Sequence, residues 1–190
     1  MRATEFSNKI PGTIYVDMDG VLVDLYGHSA KMSKIQHYNQ MPDWEKFYNT
    51  VNVFKLFADA PKFIGADHLM KIAHHFSNNV ELLTSPLQNN VKDSIRGKKV
   101  WLSEHMPDYL TKTIYEHDKQ KYAVSNGVPN ILIDDSGRNI SAWSAAGGIA
   151  IKYKADEDSL TDVINKLTEI RDKQNEKTSS SNNNSPTNGL

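Results

Sequence analysis

Five short apolar runs punctuate the chain, at 13–16, 80–83, 113–115, 131–133 and 149–151. The first, second and fourth are almost continuously apolar and give way at once to polar, reactive side chains. Strands covered on both faces read this way, as in parallel sheets flanked by helices, whereas a half-exposed strand alternates. Between the runs the apolar positions take helical spacing. Leu69, Ile72, Ala73 and Phe76 share one helix face after Ala66-Asp67, and Val91, Ile95, Trp101 and Leu102 predict a helix of roughly 14 residues interrupted by Gly97. Ile140, Trp143 and Ser144 predict a short helix that closes through Gly147-Gly148 into the fifth strand. Leu160, Val163, Ile164 and Leu167 predict a last helix capped by Asp158 or Ser159. The alternation predicts an α/β fold, an open parallel sheet with right-handed crossovers and helices on its faces.

One block breaks the alternation. From about Tyr26 to Phe63 the chain is rich in aromatics (Tyr38, Trp44, Phe47, Tyr48, Phe54, Phe57) with helix-like spacing and no strand signal. Its position directly after the first strand projects it over that strand's carboxyl end, where ligands of open α/β sheets bind. The expected organisation is an α/β core from residues 1–25 and 64–172, a small helical cap from 26–63, and a tail from 173–190. The tail holds almost nothing but Gln, Asn, Ser, Thr and Lys, so it is expected to be disordered.

Composition narrows the chemistry. The 190 residues fit one core domain with a small inserted lobe. Lys plus Arg number 22 against 23 Asp plus Glu, so no bulk polyanion footprint exists and long DNA or RNA is not the expected partner. With no Cys, thiol nucleophiles, thiolate zinc sites and disulfides all drop out. The first twelve residues lack a leader-like apolar stretch and no later run reaches membrane-spanning length, so a cytoplasmic location without a membrane partner is expected.

The polar residues that end the strand-like runs carry the chemistry. They are Asp17 and Asp19 in Asp17-Met18-Asp19-Gly20, Thr84-Ser85-Pro86, Lys119 with Lys121 as the alternative, and Asp134-Asp135. Parallel strands would open the first, second and fourth clusters on one sheet edge, with the lysine joining from the loop after the third strand. Like charges that close raise one another's pKa, and a divalent cation relieves them. Carboxylate oxygens without His or Cys favour a hard ion, and Mg2+ fits best, with Asp17, Asp19, Asp134 and Asp135 as candidate ligands. Other readings of single motifs are blander. Thr84-Ser85-Pro86 is a common helix start, Asp134-Asp135 before Ser136-Gly137 can be a turn, and Arg96-Gly97-Lys98-Lys99 reads as a solvated helix face. Trp44, Phe47 and Phe54 serve either as core of the cap or as a substrate pocket that stacks on a base.

Taken in order, Asp17-Met18-Asp19-Gly20-Val21-Leu22, Leu83-Thr84-Ser85-Pro86, Lys119 and Ile133-Asp134-Asp135 resemble the four motifs of the haloacid dehalogenase (HAD) superfamily of phosphotransferases. Asp17 to Val23, Thr84-Ser85-Pro86, Asp118-Lys119 and Lys99-Val100-Trp101-Leu102 are further similar to the 5'(3')-deoxyribonucleotidases. The resemblance spans roughly residues 13–153. It implies a Rossmann-like core and a Mg2+-dependent phosphatase whose partner is a small phosphate ester, with a nucleotide first among candidates. By that resemblance Asp17 is the nucleophile that forms an aspartyl phosphate, and Asp19 is the general acid and base whose backbone carbonyl also binds the metal. Thr84 and Ser85 bind phosphate with Lys119, and Asp134 and Asp135 complete the metal site, one directly and the other through water. Two other readings stay open: a phosphatase for a different ester (a sugar phosphate or a nucleic-acid 3'-phosphate), and a non-enzymatic phospho-Asp or metal-binding module.

Overall fold

The computed structural model describes residues 9–182, with side chains described through residue 176. Residues 1–8 and 183–190, which the expected domain plan gives to the core and the tail, lie outside the described residues.

The first element of the described residues is β1 (Ile14–Val16), followed by three α-helices, α1 (Leu25–Met32), α2 (Trp44–Thr50) and α3 (Val53–Ala58), before α4 (Ala66–Phe76). It continues through β2 (Val80–Thr84), α5 (Val91–His105), β3 (Thr113–Tyr115), the two-residue strands β4 (Val124–Ser125) and β5 (Val128–Pro129), and β6 (Ile131–Asp134). It ends with α6 (Gly137–Ala145), β7 (Ile149–Lys152) and α7 (Leu160–Asn182). Strands β3-β2-β1-β6-β7 form one five-stranded sheet in that order, and every pairing is parallel. Each of the five expected strands is present within a residue or two of its predicted ends.

The continuous apolar runs are explained by two cores. Ile14 and Val16 of β1, Leu82 of β2, and Ile131 and Ile133 of β6 face the larger core, while Tyr15, Leu83 and Leu132 face a smaller one with Trp143. Side chains on a strand alternate in direction, so a strand with a core on each side has no polar position to spare. The hairpin β4–β5 was not predicted. Its turn residues Asn126 and Gly127 both have positive φ, 51° and 77°, as a two-residue turn between antiparallel strands requires.

The helical insert is anchored at its base. Asp24 N donates to Pro61 O and Phe63 N to Leu22 O, both at 2.9 Å, so the two ends of the insert lie side by side. Its last helix, α3, does not stand apart from the core: Val53, Leu56 and Phe57 are buried in the larger core and α3 packs along α5. Gly97 makes that packing possible. It does not interrupt α5, which runs unbroken for 15 residues. A Cβ there would lie 2.5 Å from the backbone O of Phe54 and 2.8 Å from Phe57 Cβ. Backbone cannot yield as a flexible side chain can, so Gly97→Ala is expected to destabilise the protein by about 1–3 kcal/mol despite alanine's better helix propensity. A thermal melt reads this directly, and an alanine variant that melts with wild type would show the two helices to be more loosely packed.

At the carboxyl end α7 continues to Asn182, through positions 173–182 whose composition argues for disorder. Leu160, Val163, Leu167 and Ile170 pack on the larger core, and once those turns are fixed each further residue adds a hydrogen bond at low cost. Ser159 Oγ accepts from Thr161 N at 3.1 Å at the start of this helix. Among the described residues no helix is long and apolar enough to cross a membrane.

Candidate active site

The strand order reverses at β1, which has β2 on one side and β6 on the other. The chain leaves these neighbours in opposite directions, so a crevice opens at their carboxyl ends, where open α/β sheets take ligands. Val16 is the register partner of both Leu82 and Ile133, and Asp17 N donates to Ile133 O at 2.9 Å. That pairing sets Asp17 and Asp134 side by side at the crevice. Beyond Asp17 the chain turns tightly: Val21, Leu22 and Val23 all donate backbone N–H to Met18 O, and Met18, Val21, Leu22 and Val23 are buried. Those apolar anchors hold the loop so that its acids point into the crevice. Gly20 has φ +78°, and a Cβ there would lie 2.4 Å from Asp135 Oδ2. Both its backbone and the neighbouring carboxylate therefore demand glycine.

Asp17, Asp134 and Asp135 each offer an oxygen within 4.8 Å of the others. Lys119 sits between two of them, 2.8 Å from Asp17 Oδ1 and 2.7 Å from Asp134 Oδ2, and is 2 % exposed. Lys121 points away to Glu116 and Asp118 at the surface, so Lys119 is the lysine of the site. Asp134 is completely buried and saturated: its oxygens accept from Lys119 Nζ, from Ser136 N at 2.8 Å and from Asn139 Nδ2 at 3.1 and 3.0 Å. Asp135 accepts no hydrogen bond among the described residues. Asp17 Oδ1 and Asp19 Oδ1 are buried without a hydrogen bond, the Lys119 contact to Asp17 being an ion pair without hydrogen-bond alignment.

A second buried cation was not anticipated. Lys98 is 1 % exposed, and its Nζ donates to Asp19 Oδ2 at 2.5 Å and to Thr84 Oγ1 at 2.7 Å. This corrects the solvated-face reading of Arg96-Gly97-Lys98-Lys99 for Lys98. The signal was there: Ser94, Gly97, Lys98, Trp101 and Leu102 are the buried residues of α5 and follow helical spacing. Lys98 thus shares its stripe with the buried Trp101, whereas the chosen Val91 is exposed. Asn139 is the other residue missed. It lies in the first turn of α6, with the helix N-cap at Ser136, and it grips Asp134.

Thr84, at the end of β2, is buried beside Lys98, while Ser85 Oγ donates to Glu116 O at 3.1 Å, tying β2's exit to the loop after β3. Thr84-Ser85-Pro86 does not start a helix, since α5 begins only at Val91. Thr84 is the last residue of β2, and Ser85-Pro86 continue as a loop. The aromatics divide. A cleft of about 610 Å3 is lined by Asp135, Trp44, Tyr26, Tyr38 and a group of lysines. Of the three aromatics open to either a core or a pocket role, Trp44 lines it and the other two do not. Phe47 packs on the larger core, and Phe54 lies beneath the guanidinium of Arg96, 5.1 Å from its ring centre. Tyr26 and Tyr38 take their places, Tyr26 edge-on to Trp44 at 6.0 Å.

The electrostatics follow from burial. Burial raises the Asp19 pKa, Lys98 opposes this, and Asp17 adds to it. Burial and Asp17 likewise raise Asp134 against Lys119. Burial, Asp17, Asp134 and Asp19 together push Asp135 up to about 8. Burial works against the Lys119 ammonium, but Asp17 and Asp134 outweigh it and hold its pKa above the ordinary value. A carboxyl whose folded pKa is raised keeps a proton that the unfolded chain has lost, so its contribution to stability is lost as pH rises. For Asp135 that window runs from the ordinary 3.8 to about 8. In a metal chelator the melting temperature is therefore expected to fall across this window, and Asp135→Asn should flatten the fall. Identical pH profiles for the two proteins would contradict the assignment.

No protein-family model matches the sequence, and no curated protein matches it. Among solved structures, a HAD family hydrolase from Deinococcus radiodurans R1, with bound phosphate and sodium, is similar at a TM-score of 0.50 and 13% identity over 83% of this chain and 88% of that one. A predicted HAD-like family hydrolase from Porphyromonas gingivalis has a TM-score of 0.49 and 13% identity over 83% and 98% of the two chains. A HAD family enzyme from Bacteroides thetaiotaomicron, in a magnesium complex, has 0.46 and 17% over 79% and 96%. The fold of this chain is the HAD-like Rossmann fold.

Proposed function

We propose that this protein is a Mg2+-dependent phosphomonoesterase of the HAD type, working through a phosphorylated Asp17 on a small ester, with deoxynucleoside monophosphates the leading substrate class. The observation that carries it is the convergence of Asp17, Asp134 and Asp135 with two buried lysines, Lys98 and Lys119, at the point where the strand order reverses.

The residues fit a hard cation. All donors are oxygens, and Asp17 Oδ1 is buried with no hydrogen bond, while Asp135 accepts none among the described residues. Asp17, Asp135 and the backbone carbonyl of Asp19 would hold Mg2+. Asp134, whose oxygens Lys119, Ser136 and Asn139 already occupy, would act through water and fix its neighbours. When bound, Mg2+ would offset the crowded carboxylates and draw charge from the phosphoryl oxygens.

The chain's own residues supply the steps. A carboxylate oxygen of Asp17 attacks phosphorus and the ester P–O bond breaks, while Asp19 gives its proton to the departing alkoxide. Burial raises the Asp19 pKa, which suits a proton donor, and Lys98 holds the carboxyl in place. Water then attacks phosphorus and gives a proton to Asp19, the P–O bond to Asp17 breaks, and inorganic phosphate leaves with the Asp17 carboxylate restored. Thr84 Oγ, the Ser85 amide and the Lys119 ammonium hold phosphoryl oxygens through both steps. The helical insert serves as a cap that excludes water, with Trp44, Tyr26 and Tyr38 as the wall against a base. The Deinococcus radiodurans hydrolase of similar fold has bound phosphate and sodium, which supports an anion and a cation as ligands here.

The test is a panel of phosphate monoesters (nucleotides, sugar phosphates, 3'-phosphorylated oligonucleotides) assayed with Mg2+ and with chelator. Turnover that needs Mg2+ and favours nucleoside monophosphates supports the proposal, and equal rates across the panel remove the nucleotide preference. Asp19→Asn should slow alkyl phosphates by about 10²–10⁴-fold, the usual worth of a general acid. It should slow p-nitrophenyl phosphate much less in the first step, because that leaving group departs without a proton. Equal losses on both would leave Asp19 without the acid role.

A further inference from the structure

The geometry points to a substrate that carries a second anionic group, a phosphate or a carboxylate, held by Lys152 and Lys166 in the cleft that the aromatics also line. This rests on the phosphomonoesterase reading and adds a recognition site to it.

Lys152, Lys154 and Lys166 line the same cleft as Asp135 and Trp44. They come from the end of β7, the loop after it, and α7. Lys154 is already engaged: its Nζ donates to Glu157 Oε1 at 2.5 Å and to the Tyr38 hydroxyl, and stands 4.7 Å over the Tyr38 ring. Asp158, a further acid of the cleft, accepts the backbone N–H of Lys154 at 2.8 Å. Among the described residues neither Lys152 nor Lys166 has a carboxylate within ion-pair distance, although Asp162 and Glu169 line a neighbouring cavity with both of them. Lys152 acts on Glu157 only through space and both lysines are exposed, so two ammonium groups keep their hydrogens for a ligand on a wall whose third lysine is held in place.

Their position ties them to the chemistry. Lys152 is the register partner of Asp134 on the adjacent strand, so about 5 Å separates its backbone from that of the acid cluster. An ester seated with its phosphoryl group at Asp17 and its body against Trp44 and Tyr26 would bring its far end to this wall. A neutral far end would leave the two ammonium groups to water. An anionic one would gain charge-assisted hydrogen bonds from both. A cleft of about 610 Å3 has room for a ligand of nucleotide size with such an end.

Binding tests this apart from catalysis. In Asp17→Asn protein with Mg2+, titration calorimetry compares thymidine 5'-monophosphate with thymidine 3',5'-bisphosphate, and glycerol 3-phosphate with 3-phosphoglycerate. The first pair probes a second phosphate and the second a carboxylate. At least one bis-anion should bind about tenfold more tightly than its partner, the worth of a charge-assisted hydrogen bond. Adding Lys152→Gln and Lys166→Gln should bring that ratio near one. A ratio internal to each protein is unmoved by a general loss of folded material. Equal affinities within both pairs would overturn the inference, as would a preference that survives both replacements. Hydrolysis of p-nitrophenyl phosphate by the wild-type protein tests the phosphomonoesterase reading separately.

Discussion

Asp17→Asn is expected to abolish phosphate-ester hydrolysis, by about 10⁴-fold or more, the scale on which losing a covalent nucleophile is felt. The amide nitrogen and oxygen fill the volume of the carboxylate, but the amide has no anionic oxygen with which to attack phosphorus. The variant should nonetheless fold as well as wild type. Asp17 is 6 % exposed and raises the pKa of Asp19, Asp134 and Asp135 by charge repulsion, so its neutralisation relieves the cluster. Lys119 loses one partner and keeps Asp134 at 2.7 Å. The combination of lost turnover with an unchanged or higher melting temperature in chelator separates a functional acid from a structural one. Turnover retained by Asp17→Asn would remove the phospho-Asp mechanism.

Lys119→Met should be the most damaging single change to the metal-free fold, costing about 3–5 kcal/mol, the range for a buried ion pair that loses one member. The ammonium is the cation that bridges Asp17 and Asp134, all three groups being nearly inaccessible to water. Removing it leaves two neighbouring carboxylates with only Ser136 N and Asn139 to receive the charge of one of them. The loss should be greatest at high pH and smaller at low pH, because the burial-raised pKa of Asp134 lets it take up a proton in place of its lost partner. Mg2+ should restore part of the melting temperature, since a bound cation stabilises only the folded state. It should not restore turnover, because the phosphoryl oxygens lack their ammonium. A variant that melts with wild type in chelator at high pH would mean that water, not Lys119, neutralises the cluster.

Particular elements show why some of this was legible and some was not. The five sheet strands announce themselves because each of the central ones needs apolar side chains for a core on either side. The two-residue strands of the hairpin are too short to carry any period, and only Asn126-Gly127 betrays them. The acid motifs were readable because strand ends in a parallel sheet share one edge, so residues far apart in the chain arrive together without further information. Lys98 was misread because charge outweighed periodicity in a helix whose buried stripe includes it. Phe47 and Phe54 stay divided between core and pocket in the sequence because aromatic content reports burial without saying which cavity or core a ring will face.

What is local, or repeats along the chain, was available from residue order: the α/β alternation, the buried strands, and the acids and hydroxyl that follow them. Choices among equivalents required the folded chain. Lys119 rather than Lys121, Asp135 rather than Asp134 as the unoccupied carboxylate, Trp44 without Phe47 or Phe54, and the burial of Lys98 against Asp19 all depend on distances between elements. The physical reason is that secondary structure arises from interactions a few residues long, while the fate of a buried charge depends on which opposite charge the packing brings within about 3 Å.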